Sequence, residues 1–160
     1  MKNLIIITTC VAVWISLFSV KAYAPPTTSD LADRCGITEE EFILMSSVVE
    51  AESNRQAPTE GEMTTEGRIY IALTIWNRVN SDRWPSTVTG VLTQRNQFST
   101  VRNGPSVTNR TEWSDWAVVE AYEWIQSGEE YPDVQFFRCG HYFSGLTPCA
   151  EVGGNYFSYG

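Results

Sequence analysis

Residues 42–53 read FILMSSVVEAES, an apolar run with two acids set near its end. At 100° per residue, Leu44, Met45, Val48 and Val49 fall on one side of a helix, and Glu52 points to the middle of that side. Glu50 points to the opposite side. The pattern predicts Glu50 in water and Glu52 carried with the apolar stripe into the body of the domain or the floor of a cleft. Poor solvation disfavours the charged form of a carboxyl, which suits a general acid. A second reading stays open at this point: the helix ends at Glu52, whose side chain then emerges to solvent or pairs with an arginine such as Arg55.

Working outward, Thr38 and Glu41 form a T-x-x-E capping box, so the helix is expected from Glu39 to Ser53. Residues 54–65, NRQAPTEGEMTT within that span, are polar and rich in Gly and Pro, and predict a loop. A second helix is expected over Glu66–Val79, EGRIYIALTIWNRV, with so many apolar positions that it should form the buried centre of the core. SDRWPSTV turns the chain, TGVLTQ supplies one or two helical turns, and NQFSTVRNGPSV reads as irregular or short β structure. Trp113, Trp116, Ala117, Glu120, Ala121 and Trp124 recur at helical spacing, with Gly128 as the stop. Trp76, Trp116 and Trp124 are expected in the core. VQFFR, HYF and NYFSY predict small aromatic strands. The fold class is α+β with helices dominant.

At 160 residues there is room for one domain with a real core. Lys2, the apolar run from Leu4 to Val20, and Ala22 and Ala24 have the pattern of a secretory signal peptide, or of an uncleaved N-terminal anchor that would associate with a membrane. The expected organisation is therefore residues 1–24 as export segment, 25–36 as a linker opening with PPTTSD, and 37–160 as the folded domain. Both lysines lie in the first segment, which leaves nine arginines against the nineteen acids, a formal charge of −10. That sign opposes binding to nucleic acid or anionic membranes. Three cysteines remain beyond the export segment. Cys139 and Cys149, flanking a Gly-containing segment, are expected to form a disulfide in an oxidising compartment, with Cys35 left free or competing.

Counting narrows the chemistry. His141 is the single histidine, so a two-histidine zinc site of the HExxH kind is excluded, and no Cys-x-x-Cys pair supports structural zinc. A Cys35–His141 peptidase would place its nucleophile in a polar linker with no recognisable motif. No glycine-rich phosphate loop is present. Carboxylate chemistry or binding is what remains, with no metal and no cofactor expected.

The order of short motifs beyond Glu52 resembles the SleB-type cell wall hydrolases, the spore cortex-lytic enzyme family. The match runs through Val48-Val49-x-Ala51-Glu52-Ser53, Glu66-Gly67 opening a helix that ends in Asn77-Arg78-Val79, Trp84-Pro85 leading to Gly90-Val91-Leu92-Thr93-Gln94, and Gln97-Phe98-Ser99. The resemblance implies a lysozyme-like fold and action on the glycan strands of peptidoglycan; the signal pattern adds export, and a monomer is expected. It places the general acid/base on Glu52 and substrate contacts on Gln97, Phe98 and Ser99. Two features depart from the pattern: a longer loop between Glu52 and Glu66, and Asn155 where relatives commonly place a histidine.

One carboxylate suffices for a lytic transglycosylase, whereas a hydrolytic muramidase needs a second, for which Glu60, Glu62 and above all Glu66 are candidates. Glu66 in a first helical turn is equally explained by the helix dipole. Tyr142, with Trp84, Phe137 and Tyr156, offers aromatic surface for sugar rings. Arg78 reads either as a substrate ligand or as half of a structural ion pair. A non-catalytic glycan-binding or inhibitory module is the alternative from another class, and it has no need of a poorly solvated acid.

Overall fold

The computed structural model describes residues 24–54, 65–101 and 110–160, and residues 1–23 of the export segment, Arg55, Glu60 and Glu62 lie outside them. Among the described residues five α-helices precede a small sheet: α1 (Thr28–Cys35), α2 (Glu39–Asn54), α3 (Thr65–Val79), α4 (Val88–Leu92) and α5 (Glu112–Ser127), then β1 (Val134–Cys139), β2 (Pro148–Val152) and β3 (Asn155–Tyr159). Residues read from the sequence as linker form α1 instead. Thr27 and Asp30 cap it reciprocally, and it buries Leu31, Ala32 and Cys35. Three apolar residues in eight were too few to register as a periodic stripe.

α2 starts where its capping residue places it, with Thr38 Oγ1 accepting from the Glu41 amide at 3.2 Å. The reciprocal half of the box is not made, because the Glu41 carboxylate turns to α4 and accepts from the Thr89 amide at 3.1 Å. α3 is the central helix, buried from Ile71 through Arg78 and packed against α2, α4, α5 and β1.

α5 ends at Gly128, whose φ of 75° suits a residue without Cβ. Its inward face is the small one: Ala117, Val118, Val119 and Ala121 are fully buried, which lets α5 lie close on α3. Trp116 is therefore 37% exposed and Trp113 63% exposed, correcting the expectation that Trp116 is core. Apolar spacing marked a real face of α5, but the tryptophans lie outward, with the Arg34 guanidinium over the Trp116 ring. Trp124 is half-buried, and Trp76 sits in the core and donates to the Val118 carbonyl.

The antiparallel sheet has the order β1-β3-β2. HYF (141–143) lies in the connection between β1 and β2, and PCAEV supplies the middle strand in sequence. The strand order separates the two cysteines. Cys139 pairs with Asn155 on one edge of β3, while Cys149 lies on the other edge, between the partners of Ser158 and Phe157. Two strand spacings are roughly 9 to 10 Å, beyond the ~7 Å across which Cα atoms can be bridged. Cys139 and Cys149 are accordingly free thiols, and the expected disulfide is absent. Proximity in sequence had suggested it, but the third strand intervenes.

Candidate active site

Glu52 lies in the last turn of α2 and is 6% exposed, so the helix carries it inward, as the apolar stripe requires. Its Oε1 accepts from the Thr100 hydroxyl at 3.0 Å and from the Thr100 amide at 3.4 Å. Thr100 belongs to a 3-10 turn over Ser99–Val101, immediately after the Gln97-Phe98-Ser99 motif. The residue that follows the motif thus meets the acid.

Glu50 is the larger surprise. It is 3% exposed rather than solvated, and it accepts from Arg68 Nε at 2.9 Å and Arg68 Nη2 at 3.0 Å, with the Thr111 hydroxyl at 2.7 Å. One carboxylate ties α2 to α3 and to the N-cap of α5. Helical periodicity put Glu50 opposite the apolar stripe correctly, yet that side is covered by two other helix starts. Arg68, eighteen residues away, gave no local signal of pairing. Thr111 did carry one, as the N-cap of a helix predicted from its own spacing.

The loop opposite Glu52 is held from the core by Arg78. Its Nη1 donates to Gln97 Oε1 at 3.1 Å and its Nε to the Gln135 carbonyl at 2.8 Å. The guanidinium lies over Trp84 at 4.5 Å, Phe98 at 5.4 Å and Phe136 at 5.7 Å. Among the described residues no carboxylate pairs with it, so the ion-pair reading of Arg78 gives way to cation–π packing. Burial pulls its pKa down to about 10, which leaves it cationic at neutral pH.

Asn96, at φ 65°, reverses the chain just before Gln97, a conformation that Asn tolerates better than most residues. Phe98 is buried against Arg78 and Phe137, 6.2 Å between the two rings, and so anchors the loop from beneath. Gln97 remains exposed, and Ser99 lies in the same turn as Thr100, its side chain outside the described set. A groove of about 510 Å³ opens beside this loop, lined by residues 92–98 and Val101.

Glu66 is exposed in the first turn of α3. Tyr142 belongs to a separate cluster on the sheet, edge-on to Tyr156 at 5.0 Å. The Tyr156 phenol is held above its ordinary pKa, chiefly by its hydrogen bond to Glu151. Cys35 is buried in the core and its thiol is pushed up to about 12 by desolvation, which removes it as a nucleophile. Among the described residues, no group of three His, Cys, Asp or Glu side chains could hold a metal ion.

The sequence-based reading missed Thr100 as the partner of Glu52. The signal available was positional: Thr100 directly follows a motif already assigned to the cleft.

Comparison with known proteins bears on this arrangement. The family model described as Cell Wall Hydrolase matches residues 62–144. The catalytic domain of the Bacillus cereus SleB protein superposes with a TM-score of 0.60 at 22% identity, covering 76% of this chain and 91% of that one. The catalytic domain of the germination-specific lytic transglycosylase SleB from Bacillus anthracis gives 0.58 at 21% identity, covering 77% and 97%. These likenesses are of fold. No curated protein sequence matches.

Proposed function

The chain belongs to the cell wall hydrolase family, and we propose that it cleaves the glycan strands of peptidoglycan between N-acetylmuramic acid and N-acetylglucosamine as a lytic transglycosylase, with Glu52 as general acid and then general base. One observation carries the assignment of the acid. Three carboxylates are buried among the described residues; Glu50 is paired with Arg68 and Asp115 with Arg110, while Glu52 has no cationic partner. A buried carboxyl held by a neutral threonine can take and release a proton. One locked to a guanidinium stays ionised.

In this reading Glu52 protonates the glycosidic oxygen as the bond to C1 of the muramyl ring breaks, and the electron pair leaves with that oxygen. The carboxylate then takes the proton of the muramyl 6-hydroxyl as its oxygen closes on C1, giving a 1,6-anhydro end. No water is consumed, so a second carboxylate is not required. The substrate lies outside the cytoplasm, and the N-terminal signal pattern fits export to the cell envelope.

Digestion of purified sacculi followed by mass spectrometry of the released muropeptides tests this. Anhydro ends are expected, and Glu52→Gln should abolish their release. Reducing ends would mean hydrolysis with a second acid such as Glu66, and full activity of Glu52→Gln would remove the acid from the mechanism.

A further inference from the structure

The two oxygens of Glu52 are not equivalent. Both contacts from Thr100, hydroxyl and amide, fall on Oε1. Oε2 accepts nothing from the described residues, and it is absent from the unpartnered polar atoms sealed off from solvent. A backbone N–H can only donate, so the atom it meets must be an acceptor whether the carboxyl is ionised or protonated. Oε1 is thereby engaged, and Oε2 is the oxygen left for a proton that comes and goes.

We propose that Thr100 is a positioning residue that holds Oε1 of Glu52 and reserves Oε2 for both proton transfers. The inference rests on Glu52 being the acid/base. Oε2–H gives its proton to the glycosidic oxygen while the C1–O bond breaks. The same Oε2, now carrying negative charge, accepts the proton of the 6-hydroxyl as that oxygen bonds to C1. Neither step disturbs Oε1, so the carboxyl need not rotate between them. Thr100 is itself held on both sides, by buried Phe98 and Val101 and by the Val101 amide bonded to the Phe98 carbonyl at 3.2 Å. Gln97, bonded to Arg78, fixes the start of the same turn. The positional precision that proton transfer needs is thus supplied by packing rather than by a charge.

The test compares Thr100→Val, which keeps shape and amide but loses the hydroxyl, with Thr100→Ser, which keeps the hydroxyl. Thr100→Ala repeats the comparison against Ser without the extra methyl groups. Rates are measured on soluble glycan strands, with thermal midpoints for each protein. Val and Ala should lower kcat ~10- to 100-fold with KM within about twofold, and Ser should restore kcat to within about threefold. Full kcat in both Val and Ala, or a raised KM at unchanged kcat, would overturn the assignment. So would a loss in Val, Ala and Ser alike. Glu52→Gln separates the two claims. If it is inactive while Thr100→Val runs at full rate, only the role of Thr100 falls; if it is active, the acid/base reading falls with it.

Discussion

Glu50 and Glu52, two residues apart on α2, are both buried yet chemically opposite: Glu50 is held by Arg68 and Thr111, while among the described residues Glu52 meets only the neutral donors of Thr100. The first holds helices together, and the second keeps an oxygen available. Because the two project from opposite sides of one helix, locking Glu50 also fixes the rotation of the turn that presents Glu52.

Breaking the Glu50–Arg68 pair from one side should therefore be expensive. Arg68→Met leaves a buried carboxylate without its guanidinium, a loss typically of about 3 to 5 kcal/mol. Urea unfolding should show it as a lowered midpoint at unchanged slope. The double variant Glu50→Leu with Arg68→Met should recover much of that loss, since no charge is then left stranded. A double variant as unstable as Arg68→Met alone would place the cost elsewhere.

Arg78→Lys tests the anchor of the loop that carries Gln97 and Thr100. Lysine keeps the charge but loses the flat face over Trp84, Phe98 and Phe136, and its ammonium cannot span both the Gln135 carbonyl and Gln97. A loss of roughly 2 kcal/mol of stability is expected, with activity on sacculi falling more than the lowered folded fraction explains. Unchanged activity in the folded Arg78→Lys protein would separate the loop from catalysis.

The sequence made most of this layout legible where information is local. Helix α2 with its buried Glu52, the central helix α3 and the Gly128 stop all follow from spacing and capping. What escaped depends on which elements cover which faces. Periodicity put Glu50 opposite the stripe but could not show that α3 and the start of α5 lie there. The same limit turned Trp116 outward and set β3 between Cys139 and Cys149. Thr100 lay one residue past the motif and needed the turn itself to bring it to Glu52.

The cysteines give a direct check on the sheet order. A protein of residues 25–160 unfolded without reductant should titrate three thiols, because Cys35, Cys139 and Cys149 are all free. A single thiol would reinstate a disulfide. In the folded protein exposed Cys139 should alkylate at pH 8, and Cys35 should resist. Burial raises the Cys35 pKa from 9.0 to about 12. Below pH 9 the thiol is protonated in both folded and unfolded chains, so it adds no pH dependence there. Between about pH 9 and 12 the unfolded chain ionises first, and stability should fall by up to ~1.4 kcal/mol per pH unit from this group. Cys35→Ala should flatten that part of the pH–stability curve, and an unaltered slope would refute the attribution.

Gly90 explains why the Gly-Val element of α4 has that residue. A Cβ built there would stand 2.7 Å from Pro85 Cβ and 2.8 Å from Thr87 Oγ1. Neither neighbour yields easily: the proline ring is rigid, and Thr87 caps α4 by accepting from the Gly90 amide itself. Gly90→Ala ordinarily favours a helix by ~1 kcal/mol, but here the methyl must displace the ring or break the cap. The balance should come out destabilising by about 1 to 3 kcal/mol. Pro85→Ala removes the ring carbon met at 3.6 Å but leaves the Cβ, so it should rescue Gly90→Ala only in part. Urea titrations of the two single variants and the double read the coupling. A stabilised Gly90→Ala would mean that α4 and the Trp84-Pro85 turn shift apart freely.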